Sequence, residues 1–207
     1  QNFNSVSRVE AITPNLLQQQ IEEYLKSFPV KAIKIGAICS VDNILAITHS
    51  LKNHPDKPIV LDPVLASTSG KGFLNSSALN TLTEQLFPLT ELITPNRPEF
   101  ELLTETNIED IETAIGIAKD KCKEWNTSIL LKGGHFNSST IKEAIITKTE
   151  VFRFERQRRQ FQYQHGTGCT LSSAIACYLG KGFSLSETYT KASEYLVDFY
   201  DSVQDKM

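Results

Sequence analysis

His165-Gly166-Thr167-Gly168-Cys169-Thr170-Leu171-Ser172-Ser173 runs directly into Ala174-Ile175-Ala176-Cys177-Tyr178-Leu179. Two glycines flank a threonine, a cysteine follows, and the apolar residues behind it are spread as on a helix. The pattern predicts a tight loop entering the N-terminus of a helix. The first amides of a helix have no carbonyl partner within it, so they favour an anion. Glycine lets the backbone approach a ligand with no Cβ in the way. The expected guest is a phosphate, or the charge that develops during phosphoryl transfer. Gly166, Thr167, Gly168 and Cys169 are therefore candidate site residues. A free thiol titrates near ~8.5 and a helix N-terminus lowers that value, so Cys169 could accept a proton from an attacking hydroxyl. It could equally be a small buried cysteine opening a packed helix.

Upstream, apolar strand-like runs alternate with helical stripes, the pattern of an α/β fold. Thr13-Pro14 offers a helix start, followed by Leu17, Ile21, Leu25 and Phe28 at near-helical spacing. Val30 to Ile38 reads as a buried strand, and Ser40 caps a helix with Ile44, Ile47 and Leu51 on its apolar face. Residues 58 to 64 read as a second strand carrying Asp62 at its end. Ligands in open α/β sheets sit beyond the carboxyl ends of the strands, so Asp62 is either a ligand-facing acid, often acting through Mg²⁺, or a cap before Pro63. The polar loop Ser67 to Gly72 could close over a substrate or be a plain connection.

Residues 91 to 94 read as a third strand, followed by Pro95-Asn96-Arg97-Pro98-Glu99. A turn there would aim Asn96 and Glu99 at one point, as oxygen ligands suited to Mg²⁺. Alternatively Asn96 caps a helix and Glu99 completes its first turn. Ile111, Ile115, Ala118 and Cys122 form a packing stripe. Residues 128 to 135 read as a fourth strand ending in Lys132-Gly133-Gly134, where Lys132 is either a phosphate partner or a solvated lysine. Residues 143 to 147 and 150 to 154 form a hairpin turning at Lys148-Thr149. A stretch with Arg153, Arg156, Arg158 and Arg159 interleaved with aromatics reads as a loop beside the glycine motif. Gly180 and Gly182 stop the central helix, and Ser184 with Glu187 caps the last one. Its expected buried side is Ala192, Tyr195, Leu196, Phe199 and Val203.

The 207 residues suffice for one sizeable α/β unit, and 40% are hydrophobic, as in globular chains. With 21 basic and 24 acidic residues the net charge is −3, which argues against a nucleic-acid binder with a basic surface. No apolar run reaches bilayer-spanning length. Cys39, Cys122, Cys169 and Cys177 form no C-x-x-C pair and read as reduced thiols of a cytoplasmic protein. No zinc-type ligand cluster stands out.

KIGAI, VLDPVLASTSGKG, LITPNRPEFELLT, LLKGGH and HGTGCTLSSAIA occur in that order along the chain. Together they closely resemble the hydroxymethylpyrimidine and phosphomethylpyrimidine kinases of thiamine biosynthesis, within the ribokinase-like superfamily. The cysteine of GTGC, where most ribokinase-like enzymes carry aspartate, points to this branch; a minority of pyridoxal kinases share it. The resemblance implies a ribokinase-like three-layer α/β/α sandwich with a mostly parallel central sheet. It implies ATP-dependent phosphorylation of 4-amino-5-hydroxymethyl-2-methylpyrimidine, then of its monophosphate, with Mg²⁺ as cofactor and a homodimer as the assembly. By the same likeness Cys169 would be the base and Gly166 to Cys169 the anion hole. Asp62, Asn96 and Glu99 would serve the Mg²⁺ and phosphate environment, Asp62 and Glu99 as metal ligands, and Lys132 would neutralise triphosphate charge. Val64 and Gln1 match positions that contact the pyrimidine. Ala37 stands where the family more often has methionine. Residues 1–207 read as a single kinase domain without the strand and AGSDxSGGAG-like loop with which relatives begin. Pyridoxal kinase, or a non-catalytic pyrimidine binder, are the alternatives on the same scaffold.

Overall fold

Ile59-Val60-Leu61 forms strand β2 (Ile59–Leu61), and all three side chains are buried. Successive side chains on a strand point to opposite faces, so such a strand must be covered on both sides. Ile59 and Leu61 join one buried cluster and Val60 the other. The same division runs through β3 (Leu92–Ile93), β4 (Ser128–Leu131) and β5 (Thr140–Ile146). The computed structural model describes residues 8–65, 72–135, 140–159 and 166–204, except the side chains of 135 and 204.

Helices α1 (Pro14–Ser27), α2 (Val41–Lys52), α3 (Ser76–Thr81), α4 (Arg97–Thr104) and α5 (Ile111–Glu124) contribute to the first cluster. Helices α6 (Thr167–Leu179) and α7 (Leu185–Gln204) build the second. The result is the expected three-layer α/β/α arrangement. The sheet runs in chain order from β1 (Ile33–Ile35) to β6 (Val151–Gln157). Strands β1 to β4 are parallel, whereas β5 is antiparallel to both β4 and β6, so the sheet is mixed. None of the described helices is long and apolar enough to cross a membrane.

Several local expectations hold for their stated reasons. The Ser40 side chain accepts the Asn43 N–H, and Ser184 and Glu187 close a reciprocal cap ahead of α7. The hairpin turns at Lys148-Thr149, closed by the Thr147 N–H on the Glu150 carbonyl at 2.9 Å. The expected strand from Val30 to Ile38 contracts to Ile33–Ile35, because the chain turns at Phe28–Val30 before it and swings toward the Ser40 cap after it. The hairpin strands are longer than expected: β6 runs to Gln157, which places Arg156, like Arg153, on the strand rather than in a loop. Arg153 pairs with Glu112 and Arg159 with Asp201, so much of this basic stretch is satisfied within the protein. On α7 the buried stripe is Tyr189, Ala192, Leu196 and Tyr200. Tyr195 and Phe199, expected inside, are 46% and 40% exposed and stack on each other at 6.0 Å.

Candidate active site at the strand ends

Four consecutive parallel strands each bring a polar residue to the same end and face of the sheet. Lys34 lies on β1 and Asp62 directly follows β2. Thr94 follows β3, and Lys132 follows β4. Asp62 is their meeting point, at 2% exposure. Its Oδ1 accepts from Lys132 Nζ at 2.8 Å and from Thr94 Oγ1 at 3.2 Å. Its Oδ2 accepts from Ser172 Oγ at 3.3 Å and lies 4.0 Å from Lys34 Nζ. Gly36 makes room for that second lysine: a Cβ there would stand 3.0 Å from Lys34 Nζ. Burial alone would raise the Asp62 pKa. The charge and hydrogen bond of Lys132, then the Lys34 charge and a Cys169 hydrogen bond, outweigh it and hold the carboxyl below its ordinary value.

The helix predicted from the glycine motif begins at Thr167, with Gly166 as its N-cap at φ 86°. That left-handed conformation is the one glycine adopts without a Cβ penalty. The first hydrogen bond closing the helix runs from Thr170 N–H to Gly166 O at 2.8 Å. The preceding amides fall in the first turn, where helix geometry offers no carbonyl four residues back. This turn lies over the charged row: a Cβ on Gly168 would sit 3.5 Å from Lys132 Nζ. Ser172 Oγ also donates to Cys169 O at 3.1 Å, tying the turn to Asp62. Cys169 is exposed. Its thiol is pushed up rather than down, first by desolvation and next by the Asp62 carboxylate, against the pull of Lys34 and Lys132. The expectation of a thiol lowered by the helix terminus is thus corrected: desolvation, and then the Asp62 carboxylate beneath, raise it instead.

Asn96 and Glu99 form the capping box of α4. Asn96 Oδ1 accepts the Glu99 N–H at 2.9 Å and Glu99 Oε2 accepts the Asn96 N–H at 2.7 Å. The local reading, a helix cap, is the arrangement seen, and it directs Glu99 into the cluster, 3.9 Å from Lys132 Nζ. Burial pushes the Glu99 pKa up to about 7, opposed by Lys132 and the Asn96 N–H and helped by Asp62. Both carboxylates thus draw on Lys132, while Lys34 serves Asp62, so Glu99 is the less neutralised of the two. Their hard oxygens fit a Mg²⁺ ion. Among the described residues no group of three or more His, Cys, Asp or Glu side chains is arranged to hold a metal. Water and phosphate oxygens would therefore have to complete its shell.

Asp62, Glu99, Lys132, Gly168 and Cys169 therefore come together. Val64 stands beside them, half-buried, its N–H on the Asp62 carbonyl at 2.8 Å. Gln1, His165 and Ser67 to Lys71 lie outside the described residues. Sequence reasoning missed Lys34, Thr94 and Ser172. Their signal was positional: Lys34 and Thr94 fall at the same strand end as Asp62, and Ser172 is one helical turn after Cys169.

Residues 1–204 match the family model described as phosphomethylpyrimidine kinase. A thiamine biosynthesis bifunctional protein of Geobacter sulfurreducens is 34% identical over 95% of this chain, which spans only 40% of that longer protein. The hydroxymethylpyrimidine/phosphomethylpyrimidine kinase of Staphylococcus aureus MRSA252 is 32% identical over 95% of this chain and 72% of its own length. Among solved structures, the phosphomethylpyrimidine kinase of Clostridium difficile 630 superposes with a TM-score of 0.81 at 31% identity, covering 96% of this chain and 81% of that one. The pyridoxal kinase of Bacillus subtilis, solved as an ADP complex, superposes with a TM-score of 0.80 at 25% identity, covering 90% and 70%. Fold, motif order and a match over nearly every residue agree: this chain belongs to the phosphomethylpyrimidine kinase family.

Proposed function

We propose that this chain transfers the γ-phosphoryl group of ATP to the hydroxymethyl oxygen of 4-amino-5-hydroxymethyl-2-methylpyrimidine, and then phosphorylates the monophosphate. The observation that carries this reading is the first turn of α6 lying over the Asp62–Lys132 pair, with Cys169 at the same point. Phosphoryl transfer passes through a loose transition state, so positioning and charge stabilisation do most of the work. The α6 amides and Lys132 supply positive potential where charge builds on the transferred group. Lys34 adds a second cation on the far side of Asp62. The alcohol oxygen forms the new P–O bond as the bond to the ADP oxygen breaks, and the hydroxyl proton passes to the Cys169 thiolate. The raised thiol pKa keeps that thiolate scarce at neutral pH, so turnover rises with pH. Asp62 and Glu99 would hold Mg²⁺, largely through water. The ion, when bound, neutralises phosphate oxygens. Val64, next to Asp62, would face the pyrimidine.

Pyridoxal is the second acceptor to weigh, because a pyridoxal kinase superposes almost as well. An ADP-release assay with the pyrimidine alcohol, its monophosphate and pyridoxal, each with MgATP, decides between them. Turnover of both pyrimidines is the expected result. Turnover of pyridoxal alone overturns the assignment, and pyrimidine binding without ADP release identifies a non-catalytic binder.

A further inference from the structure

Glu143 is a carboxylate with 3% exposure on β5, followed there by the buried Ala144, Ile145 and Ile146. Its Oε1 accepts the backbone N–H of Gly133 at 3.1 Å. Its Oε2 accepts from Arg156 Nε on β6 at 3.1 Å and from the buried Tyr189 hydroxyl on α7. Phe154 packs on the Tyr189 ring with centroids 4.1 Å apart. Arg158 Nη1 donates to Gly134 O at 3.0 Å, gripping the same turn one residue further on. The turn lies hard against β5: a Cβ on Gly133 would fall 1.9 Å from the Lys142 carbonyl oxygen.

A buried ion pair is weak evidence for stability, since apolar residues of equal volume often do as well. What an apolar side chain cannot do is accept a backbone N–H and fix the peptide that carries it. That peptide joins Gly133 to Lys132, the residue whose ammonium lies on Asp62. We propose that Glu143, with Arg156 and Tyr189, is a positioning residue that fixes the Lys132–Gly133 peptide and so aims the Lys132 ammonium at the transferred phosphate. Through Tyr189 and Arg156 it also couples α7 and the β5–β6 hairpin to the charged row. This rests on the kinase reading of the site.

The test is a double-mutant cycle on kcat/KM for MgATP, using Glu143→Gln, Lys132→Met and the pair. Glu143→Gln weakens the hold on Gly133 from a charge-assisted bond to a neutral one and turns an NH2 donor toward the Arg156 and Tyr189 donors, so the side chain is no longer fixed. It should lower kcat/KM about 10- to 100-fold, the scale seen when the partner orienting a functional ligand is altered. In the Lys132→Met background it should cost less than about threefold, because the group it aims is gone. Losses that multiply in the double variant overturn the proposal. If Lys132→Met alone leaves kcat/KM unchanged, the kinase site is misassigned instead. Tyr189→Phe, which removes one hydrogen bond to Glu143 and keeps the ring, provides a milder variant for the same cycle if Glu143→Gln does not fold.

Discussion

Lys132→Met leaves a side chain of nearly the same length without the charge. The lysine lies 2.8 Å from Asp62 Oδ1, and the two side chains are 13% and 2% exposed. Removing one partner of a buried pair costs about 3–5 kcal/mol, because the other charge stays buried without its counterion. Thr94 and Ser172 continue to donate to Asp62, and Lys34 remains at 4.0 Å. The low end of that range, about 3 kcal/mol, is therefore expected. For a chain of this size each kcal/mol moves Tm by about 2–4 °C, so Tm should fall by about 6–12 °C at pH 7. The pH dependence is more telling. In the wild type the Asp62 pKa is held below its ordinary value, so its contribution is present above that value and lost as pH falls through the folded pKa. Without Lys132, burial dominates and the folded pKa rises above the unfolded one, so ionised Asp62 becomes a cost at neutral pH. The Tm gap between wild type and variant should therefore be widest at pH 7 and narrow toward pH 4. Circular-dichroism melts at four pH values measure it. A gap that stays constant with pH, or a drop under about 2 °C at pH 7, refutes the account of Asp62 as a charge buried on lysine support.

Gly168→Ala places its methyl at ordinary contact distance from Lys132 Nζ. It should leave Tm nearly unchanged while lowering kcat about 10²-fold, the scale for losing an anion-hole donor; full activity would mean that the first turn of α6 touches no phosphate. Glu99→Gln keeps an acceptor for the Asn96 N–H and removes a group whose pKa is pushed up to about 7 by burial. A carboxyl raised on folding lowers stability as pH climbs from its unfolded value to the folded one. In metal-free buffer the variant should therefore be more stable than wild type at pH 8 and equal to it at pH 4, by thermal melts at both. The kcat/KM of the wild type should climb from pH 6.5 to 9, because desolvation and then Asp62 raise the Cys169 thiol. Cys169→Ala should abolish that climb while still binding nucleotide by calorimetry; a flat wild-type profile would remove the thiolate from the mechanism.

Local chemistry with a short reach was legible in the residues. Gly166 before Thr167 announced the helix start, Ser40 and Ser184 announced caps, and strand ends at Asp62 and Lys132 announced where a ligand should sit. Contacts across long sequence separations were not. Ser172 meets Asp62 over 110 residues and Glu143 meets Tyr189 over 46, and no local pattern encodes either distance. The raised thiol is hidden for the same reason, since the helix dipole is visible in sequence but the desolvation of the site and the Asp62 carboxylate beneath it are not. On α7, Tyr195 and Phe199 are apolar in type, but the buried stripe passes through Tyr189 and Tyr200, which a count of hydrophobicity does not separate from them.

Each described strand after β1 lies next to the one made just before it. As the chain leaves the ribosome, every new strand can dock on a neighbour already in place, and Lys34, Asp62, Thr94 and Lys132 are laid down one after another. Helix α6, which closes over them, is synthesised after all four. A chain paused before residue 166 would hold the assembled row of charges open to water, so competence for nucleotide chemistry should switch on abruptly, once α6 has emerged and docked.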